Sequence, residues 1–388
     1  MSGSGIKSDC GDRAIMWQQD GITIHQGDCL AILSTLPAGS VNCCVTSPPY
    51  WGLRDYGTAA WDGGDTACDH KKVGRTQNMD KLGERLGCGG GHTVSDNVLE
   101  PYKHICGKCG AKRIDQQLGL EATPEEYIEK MVHVFREVRR VMRGDGTLWV
   151  NIGDSYYGGK GASNYNFQWR RVSDSIHGDQ HNVEASIGGM RPLDAPQDGL
   201  KPKDLVGIPW MLAFALRADG WYLRSEIIWH KPNPMPESVT DRPTKSHEQI
   251  FLFAKSQKYY YDSAAIKEPA SYAGQDRGGS QNRYEQNSAG MDNKQYDTRN
   301  KRSVWTVPVK PYKGAHFATF PPELIEPCIL AGCPEGGVII DPFAGSGTTA
   351  QVAQKNGCKF VGCELNPEYI ELIKKRFSQR SFLLEVER

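Results

Sequence analysis

Five residues, Thr46-Ser47-Pro48-Pro49-Tyr50, combine groups that could hold a flat polar ligand. They follow a short apolar run, Val41 to Val45, which reads as a buried strand. A strand that runs into two prolines must end, because proline fixes its own φ and has no N–H to give to a ladder. The stretch is therefore a rigid corner at the carboxyl end of a strand, where open α/β sheets place their ligands. Ser47 offers a hydroxyl, Ser47 and Pro48 offer carbonyls with no competing N–H after them, and Tyr50 offers an aromatic plate. Two acceptors and a ring suit a heterocycle with an exocyclic amine. By itself the pentapeptide could equally be a proline turn capping a strand.

A second stretch, Asp341-Pro342-Phe343-Ala344-Gly345-Ser346-Gly347-Thr348-Thr349, lies between a strand and a helix. Its glycines let the backbone approach a ligand closely, and the helix start offers free N–H groups. A phosphate-binding P-loop needs a lysine before its Ser or Thr; Gly347-Thr348-Thr349 has none, which excludes an NTPase of that kind. Glu364 ends the next strand, 23 residues after Asp341, as the acid that holds ribose hydroxyls does in the dinucleotide fold. The pair points to an adenosine-like ribose without phosphate, and the missing G-x-G-x-x-G pattern disfavours NAD.

The third constellation is cysteine-rich. Cys106-Gly107-Lys108-Cys109 has the knuckle spacing that often binds zinc, and Cys68 with His70 offers a second pair. The expected site is Cys68, His70, Cys106 and Cys109, with Cys88 and His92 as substitutes. Such a site would be structural, holding an insertion that lacks its own core. Buried free thiols are the alternative, in a segment too polar to bury them.

These stretches sit on a recognisable α/β rhythm. Ile22 to His25 reads as a strand ending in Gly27-Asp28-Cys29, and Leu30 to Leu36 as a helix. Thr123 to Met142 is the clearest helix, with Thr123 and Glu126 as a capping box and Pro124 at the first helical position. Tyr127, Ile128, Met131, Val134, Phe135, Val138 and Val141 recur at helical spacing. Gly144-Asp145-Gly146 is expected to end it, before a strand over Thr147 to Ile152. Trp210 to Ala218 reads as a helix and Tyr222 to Trp229 as a strand; Ile250 to Ala254 and Lys258 to Tyr261 read as a hairpin. The last part predicts a helix over Pro322 to Ala331, a strand over Gly337 to Ile340, a helix over Ala350 to Asn356, a strand over Lys359 to Gly362 and a helix over Pro367 to Phe377.

The expected fold is α/β, a mostly parallel sheet with one antiparallel edge hairpin and helices on both faces, carrying polar and zinc-binding insertions. The expected divisions are 17–56, a catalytic half; 57–120, the cysteine-rich insertion; 121–262, core with a mobile loop at 154–205; 263–314, a target-recognition region; and 315–388, a cofactor-binding half. In 263–314 and just beyond, Arg277, Arg283, Lys294, Arg299, Arg302 and Lys310 alternate with Tyr272, Tyr284, Tyr296 and Trp305, which suits nucleic acid or else a polar loop. Lys231 and Asn233, in the Pro-rich segment after a strand, could meet a nucleic-acid backbone, shape a base pocket, or do neither.

At 388 residues, 38% hydrophobic and 24% charged, the chain fits a soluble globular protein of one large domain or two. Its formal net charge is zero, so a nucleic-acid partner would have to be met by local basic patches. The sequence holds no apolar run of membrane-spanning length and no apolar secretory core at its start, so a cytoplasmic protein is expected. Twelve cysteines in such a chain favour metal ligands or buried thiols over disulfides.

Taken together, Thr46-Ser47-Pro48-Pro49-Tyr50 and Asp341-Pro342-Phe343 with Gly345-Ser346-Gly347-Thr348-Thr349 resemble the S-adenosylmethionine-dependent DNA amino-methyltransferases. The catalytic motif precedes the cofactor motif, the order of that family's β group. The resemblance implies a Rossmann-like methyltransferase sheet, S-adenosylmethionine as cofactor and DNA as partner, with the target base flipped out or single-stranded. It implies that Asp341, Phe343, Gly345, Gly347 and Thr348 line the cofactor, that Glu364 holds its ribose and that Asp28 meets its adenine. His316, Thr319 and Phe320 fall in the segment that would close over the methionine end. Ser47, Pro48, Pro49 and Tyr50 would hold the target base. An exocyclic amine is a poor nucleophile because its lone pair is delocalised, and acceptors on both hydrogens favour a pyramidal nitrogen. No covalent intermediate is needed, so Cys43 and Cys44 read as core residues. In the family a first-position Ser goes more often with N4 of cytosine, and Asp or Asn with N6 of adenine; cytosine is therefore favoured, with N6 of adenine by the same mechanism as the alternative. Rival readings are a methyltransferase acting on protein or RNA, and a zinc-bearing DNA-binding protein with an inactive core.

Overall fold

The computed structural model describes residues 15–52, 58–73, 99–101, 105–115, 117–158, 193, 197, 199–270, 297–310 and 320–386. Among these the strands are β1 (Ile15–Gln19), β2 (Ile22–Gln26), β3 (Val41–Thr46), β4 (Ala60–Asp62), β5 (Lys71–Val73), β6 (Leu99–Pro101), β7 (Lys112–Ile114), β8 (Met142–Ile152), β9 (Tyr222–His230), β10 (His247–Ala254), β11 (Glu268–Pro269), β12 (Thr298–Arg299), β13 (Val304–Thr306), β14 (Val338–Asp341) and β15 (Lys359–Glu364). The helices are α1 (Cys29–Leu33), α2 (Pro124–Val141), α3 (Ile208–Ala218), α4 (Pro322–Gly332), α5 (Thr348–Lys355) and α6 (Pro367–Val386).

Nine strands form one sheet in the order β1-β2-β15-β14-β3-β8-β10-β9-β13. Only β1 and β10 run against the rest. Right-handed crossovers fix where the helices go. The connections β2-α1-β3, β3-α2-β8 and β8-α3-β9 all run one way along the sheet; β13-α4-β14 and β14-α5-β15 run the other way. The two groups of helices therefore cover opposite faces. α1 and α3 each pack on α2, and α4 packs on α5. The direction reverses between β14 and β3, and the crevice above the carboxyl ends at such a reversal is where α/β sheets bind ligands.

The α2 cap is as the sequence predicts. Thr123 accepts a hydrogen bond from the Glu126 N–H, and every apolar position of the stripe from Tyr127 to Val141 is buried. Three expectations shift. The helix gives way directly to β8 at Met142, and Gly144-Asp145-Gly146 lies inside that strand as an irregularity in its pairing with β3. A side chain at Gly146 would strike Met142 and the Asn42 carbonyl, so glycine here serves close packing. The hairpin joins β9 to β10 within the sheet; 258–261 is not a strand, and Tyr260 instead donates its N–H to the Asp145 carbonyl at 2.8 Å. At the far edge β1 and β2 form a further hairpin through Asp20 and Gly21, both at positive φ, the turn type that Asp-Gly favours.

The chain divides into two compact units: 1–51, 123–155 and 205–388 in one, and 52–122 with 156–204 in the other. The first contains the sheet. In the second, β4 pairs with β7 and β5 with β6, while Tyr157 exchanges backbone hydrogen bonds with Lys203 and Asp204. Among the described residues no helix is long and apolar enough to cross a membrane.

Candidate active site

The two sequence motifs end adjacent parallel strands. Ile339 and Ile340 of β14 lie beside Cys43 and Cys44 of β3. Both thiols are fully buried and burial pushes them up, Cys43 to about 12, so they are packing residues rather than nucleophiles. One bond ties the strand ends together: Thr46 Oγ1 donates to Asp341 Oδ1 at 2.6 Å. Asp341 also accepts from the Phe343 N–H at 3.0 Å and from Thr349 Oγ1 at 2.8 Å. Both carboxylate oxygens thus brace the 341–349 loop. Burial raises this carboxyl to about 6 against the pull of those donors.

Glu364, at the end of β15, closes the other side. Its carboxylate accepts from the Gly345 N–H at 2.7 Å and the Asn366 N–H at 2.8 Å, and burial pushes it up to about 7. Gly347 has a φ of 79° and begins α5, and a Cβ there would lie 2.8 Å from Ile373, so the position requires glycine. Thr348 is buried, and Phe343 is half-buried. The Ser346 hydroxyl is buried without a hydrogen-bond partner, an unsatisfied donor inside the loop. Asp28 lies just beyond β2 and caps α1, accepting from the Ala31 N–H at 2.9 Å; the Gly27 N–H donates to the Glu364 carbonyl, which joins the two strand ends. Phe320 packs against the core beside α4. His316 and Thr319 lie outside the described residues.

At the proline corner, the Pro49 carbonyl accepts from the Tyr127 hydroxyl of α2 at 2.9 Å, which pins the turn. Ser47 and Tyr50 are half-buried, and Pro48 is buried between them. The Tyr50 ring passes so close to Gly153 that a Cβ there would lie 2.6 Å from it. The Tyr50 hydroxyl donates to Glu248 Oε2 at 2.8 Å, with Asn151 Oδ1 at 3.4 Å. Asn151 Nδ2 donates to the same Glu248 oxygen at 3.2 Å, and Lys231 pairs with Glu248 Oε1. Burial, and then the charge of Glu248, holds the Tyr50 phenol well above its ordinary value, so it keeps its proton. Next to this network Asp154 accepts from the Gly207 and Ile208 N–H groups at the start of α3.

Asn151, Gly153 and Glu248 carry no motif. The one signal was a polar residue, Asn151, inside the apolar run of β8. Lys231 turns inward to Glu248, while Asn233 exchanges two hydrogen bonds with the Val309 backbone, at 3.0 and 2.9 Å. Trp305 is a core residue of β13, and Arg299 and Arg302 both pair with Glu268.

In the second unit, Cys68, His70, Cys106 and Cys109 bring their ligand atoms within 4.8 Å of one another. Cys68 Sγ lies 3.7 Å from Cys106 Sγ, and Cys109 Sγ lies 3.5 Å from His70 Nδ1. Sulfurs at roughly 2.3 Å from a tetrahedral zinc stand about 3.8 Å apart. Cys106 and Ala111 close the knuckle by a backbone hydrogen bond, Trp61 stacks on His70 at 4.5 Å, and a Cβ at Gly64 would meet Cys109 Sγ at 2.8 Å. Backbone donors from Ala111 and Asp65 lower the Cys109 thiol to about 6, which favours the thiolate a metal needs. Cys88 and His92 lie outside the described residues.

A seven-strand parallel run with one inserted antiparallel strand brings the 341–349 loop and the proline corner together at its reversal, the arrangement expected of an S-adenosylmethionine-dependent amino-methyltransferase. The model of the N6/N4 DNA methylase family matches residues 41–375, and the chain belongs to that family. It is 43% identical to the type II methyltransferase M.Cfr9I of Citrobacter freundii over 92% of this chain and 88% of that one. It is 40% identical to M.SmaI of Serratia marcescens over 91% and 90%. The fold is shared with the PvuII DNA methyltransferase, described as cytosine-N4-specific, at a TM-score of 0.51 and 14% identity over 92% of this chain and 86% of that one. The chain is accordingly a site-specific DNA methyltransferase, and the protein, RNA and inactive-core readings fall away.

Proposed function

We propose that the enzyme methylates N4 of cytosine in DNA. The observation that carries this reading is Ser47 at the first position of the corner, where the family more often has Ser for cytosine and Asp or Asn for adenine. S-adenosylmethionine, when bound, supplies a methyl group on a sulfonium, electrophilic enough for direct transfer. The residues fit such a ligand: the Ser346 hydroxyl is buried and unpaired, and Gly345 and Gly347 keep the loop backbone bare. Glu364, Phe343 and Thr348 would hold the nucleoside end, Asp28 the adenine, and Asp341 would act by shaping the loop. Residues His316, Thr319 and Phe320 are proposed to cover the methionine end.

Ser47 Oγ and the Pro48 carbonyl would accept the two amine hydrogens, Pro49 would fix the turn, and Tyr50 would stack on the extruded base. The Cys68, His70, Cys106 and Cys109 cluster is proposed to bind a structural zinc. Residues 263–314 are proposed to contribute to target recognition. The reading is tested by incubating the protein with unmethylated DNA and labelled cofactor, digesting to nucleosides and identifying the product by mass spectrometry. N4-methylcytosine is expected; N6-methyladenine would overturn the choice of base and keep the chemistry.

A further inference from the structure

We propose that Met235 is a wedge that enters the DNA stack where the target base has left it and holds the vacated space closed. The inference rests on the reading that the base is extruded into the pocket at Tyr50.

The segment Lys231-Pro232-Asn233-Pro234-Met235-Pro236 alternates proline with other residues. Each proline fixes its own φ and bars the residue before it from the helical region, so the whole segment has little conformational freedom. It leaves the carboxyl end of β9, which runs the same way as β3 and so ends at the same edge of the sheet as the Tyr50 corner. Its base is anchored. The Lys231 N–H donates to the Ser246 carbonyl at 2.8 Å, and the Asn233 side chain holds the Val309 backbone by both its oxygen and its nitrogen. Across the loop Arg242 pairs with Glu237 at 2.7 Å. Met235 stands out from this frame at 86% exposure, the most exposed large apolar residue among those described.

A lone apolar side chain in water is ordinary. The setting of this one gives it a use. Lys231 pairs with Glu248, which accepts the Tyr50 hydroxyl, and the four residues from Lys231 to Met235 span at most about 14 Å. Met235 is therefore carried at the rim of the base pocket. Extrusion breaks the stacking on both sides of the target and leaves a gap in the duplex, and apolar side chains, methionine among them, fill such gaps in proteins that unstack DNA. The unbranched, polarisable thioether adapts to base faces of any sequence. An arm already ordered by its prolines loses little entropy on entering. On the returning limb, the one hydrogen bond of Lys245 Nζ among the described residues goes to the Asp154 carbonyl at 3.0 Å. Its other donors are left for a backbone phosphate beside the wedge.

The test is single-turnover methyl transfer, with the methylated base identified, on a duplex whose target is paired and on one whose target is mispaired. Mispairing leaves less to be broken on extrusion. Relative to the wild type, Met235→Ala should slow transfer on the paired duplex by about tenfold to a hundredfold, the scale of the apolar contact it gives up, and on the mispaired duplex by no more than about threefold. Met235→Leu, apolar and of similar volume, should restore most of the rate on the paired duplex. Both variants should unfold at the wild-type midpoint, because the side chain is exposed in the free protein. No methylated base from the wild type on either duplex would overturn the reading of the pocket itself. An active wild type, with Met235→Ala slowed equally on both duplexes or on neither, would overturn the role of Met235 alone.

Discussion

Glu364 shows how the burial of one carboxyl can couple stability to pH. Its carboxyl lies at about 7 in the folded chain, against an ordinary 4.5, chiefly because it is buried and secondarily because Asp341 is near. Between those values the unfolded chain has released the proton while the folded chain retains it. The unfolded state then binds fewer protons, and stability falls as pH rises. Fully developed above pH 7, the penalty is on the order of 3 kcal/mol. Asp341, raised to about 6 from 3.8, adds to the same trend over a lower window. Thermal unfolding of the cofactor-free protein should therefore show a falling midpoint from about pH 5 to pH 7.5, with a shallower slope for Glu364→Gln. A midpoint that rises over this range would contradict the account. Both acids were legible as motif residues. Their shifted protonation was not, because it depends on burial that no local spacing encodes.

At the scale of elements, the crevice depends on strand ends that approach closely. Gly153 directly follows β8, and its missing side chain is what lets the Tyr50 ring lie where it does. Gly153→Ala would push that ring out of its plane. A loss of at least about a hundredfold in kcat/KM is expected, since a displacement of about 1 Å in a positioning group is worth that much. Cofactor affinity, measured by calorimetry, should stay within about twofold. Equal losses in both would place Gly153 in the shared scaffold instead. The Thr46–Asp341 bond joins the two halves of the site across 295 residues of chain. Thr46→Val removes its donor and should cost about 1–3 kcal/mol, read from denaturant unfolding, because a buried carboxylate oxygen loses a partner. The α2 cap and stripe were readable because they are local. The β9–β10 hairpin was misplaced because Lys258 to Tyr261 has strand-like residues but no neighbour to pair with, and β13 was missed because a three-residue strand has too short a pattern.

For the molecule as a whole, the two motifs, Thr46 to Tyr50 and Asp341 to Thr349, lie far apart in the sequence. Only the order of the strands explains why they meet, since β14 is inserted beside β3 at the reversal of the sheet. The Cys68, His70, Cys106 and Cys109 cluster was legible as a set from spacing alone, and its four ligand atoms do converge. If it holds zinc, elemental analysis should find about one equivalent per chain, and chelation at neutral pH should lower the unfolding midpoint, because metal binding to the folded state is folding free energy. An unchanged midpoint together with no zinc would remove the site.

Ser47 is proposed to accept a base amine most strongly as that nitrogen becomes pyramidal. That role is tested most directly by comparing Ser47→Ala with the wild type in single-turnover methyl transfer and in DNA affinity. A bond realised mainly in the transition state predicts a rate loss of roughly 10²–10³ with an equilibrium Kd changed by no more than about threefold. Equal losses in rate and affinity, or no loss in either, would contradict it.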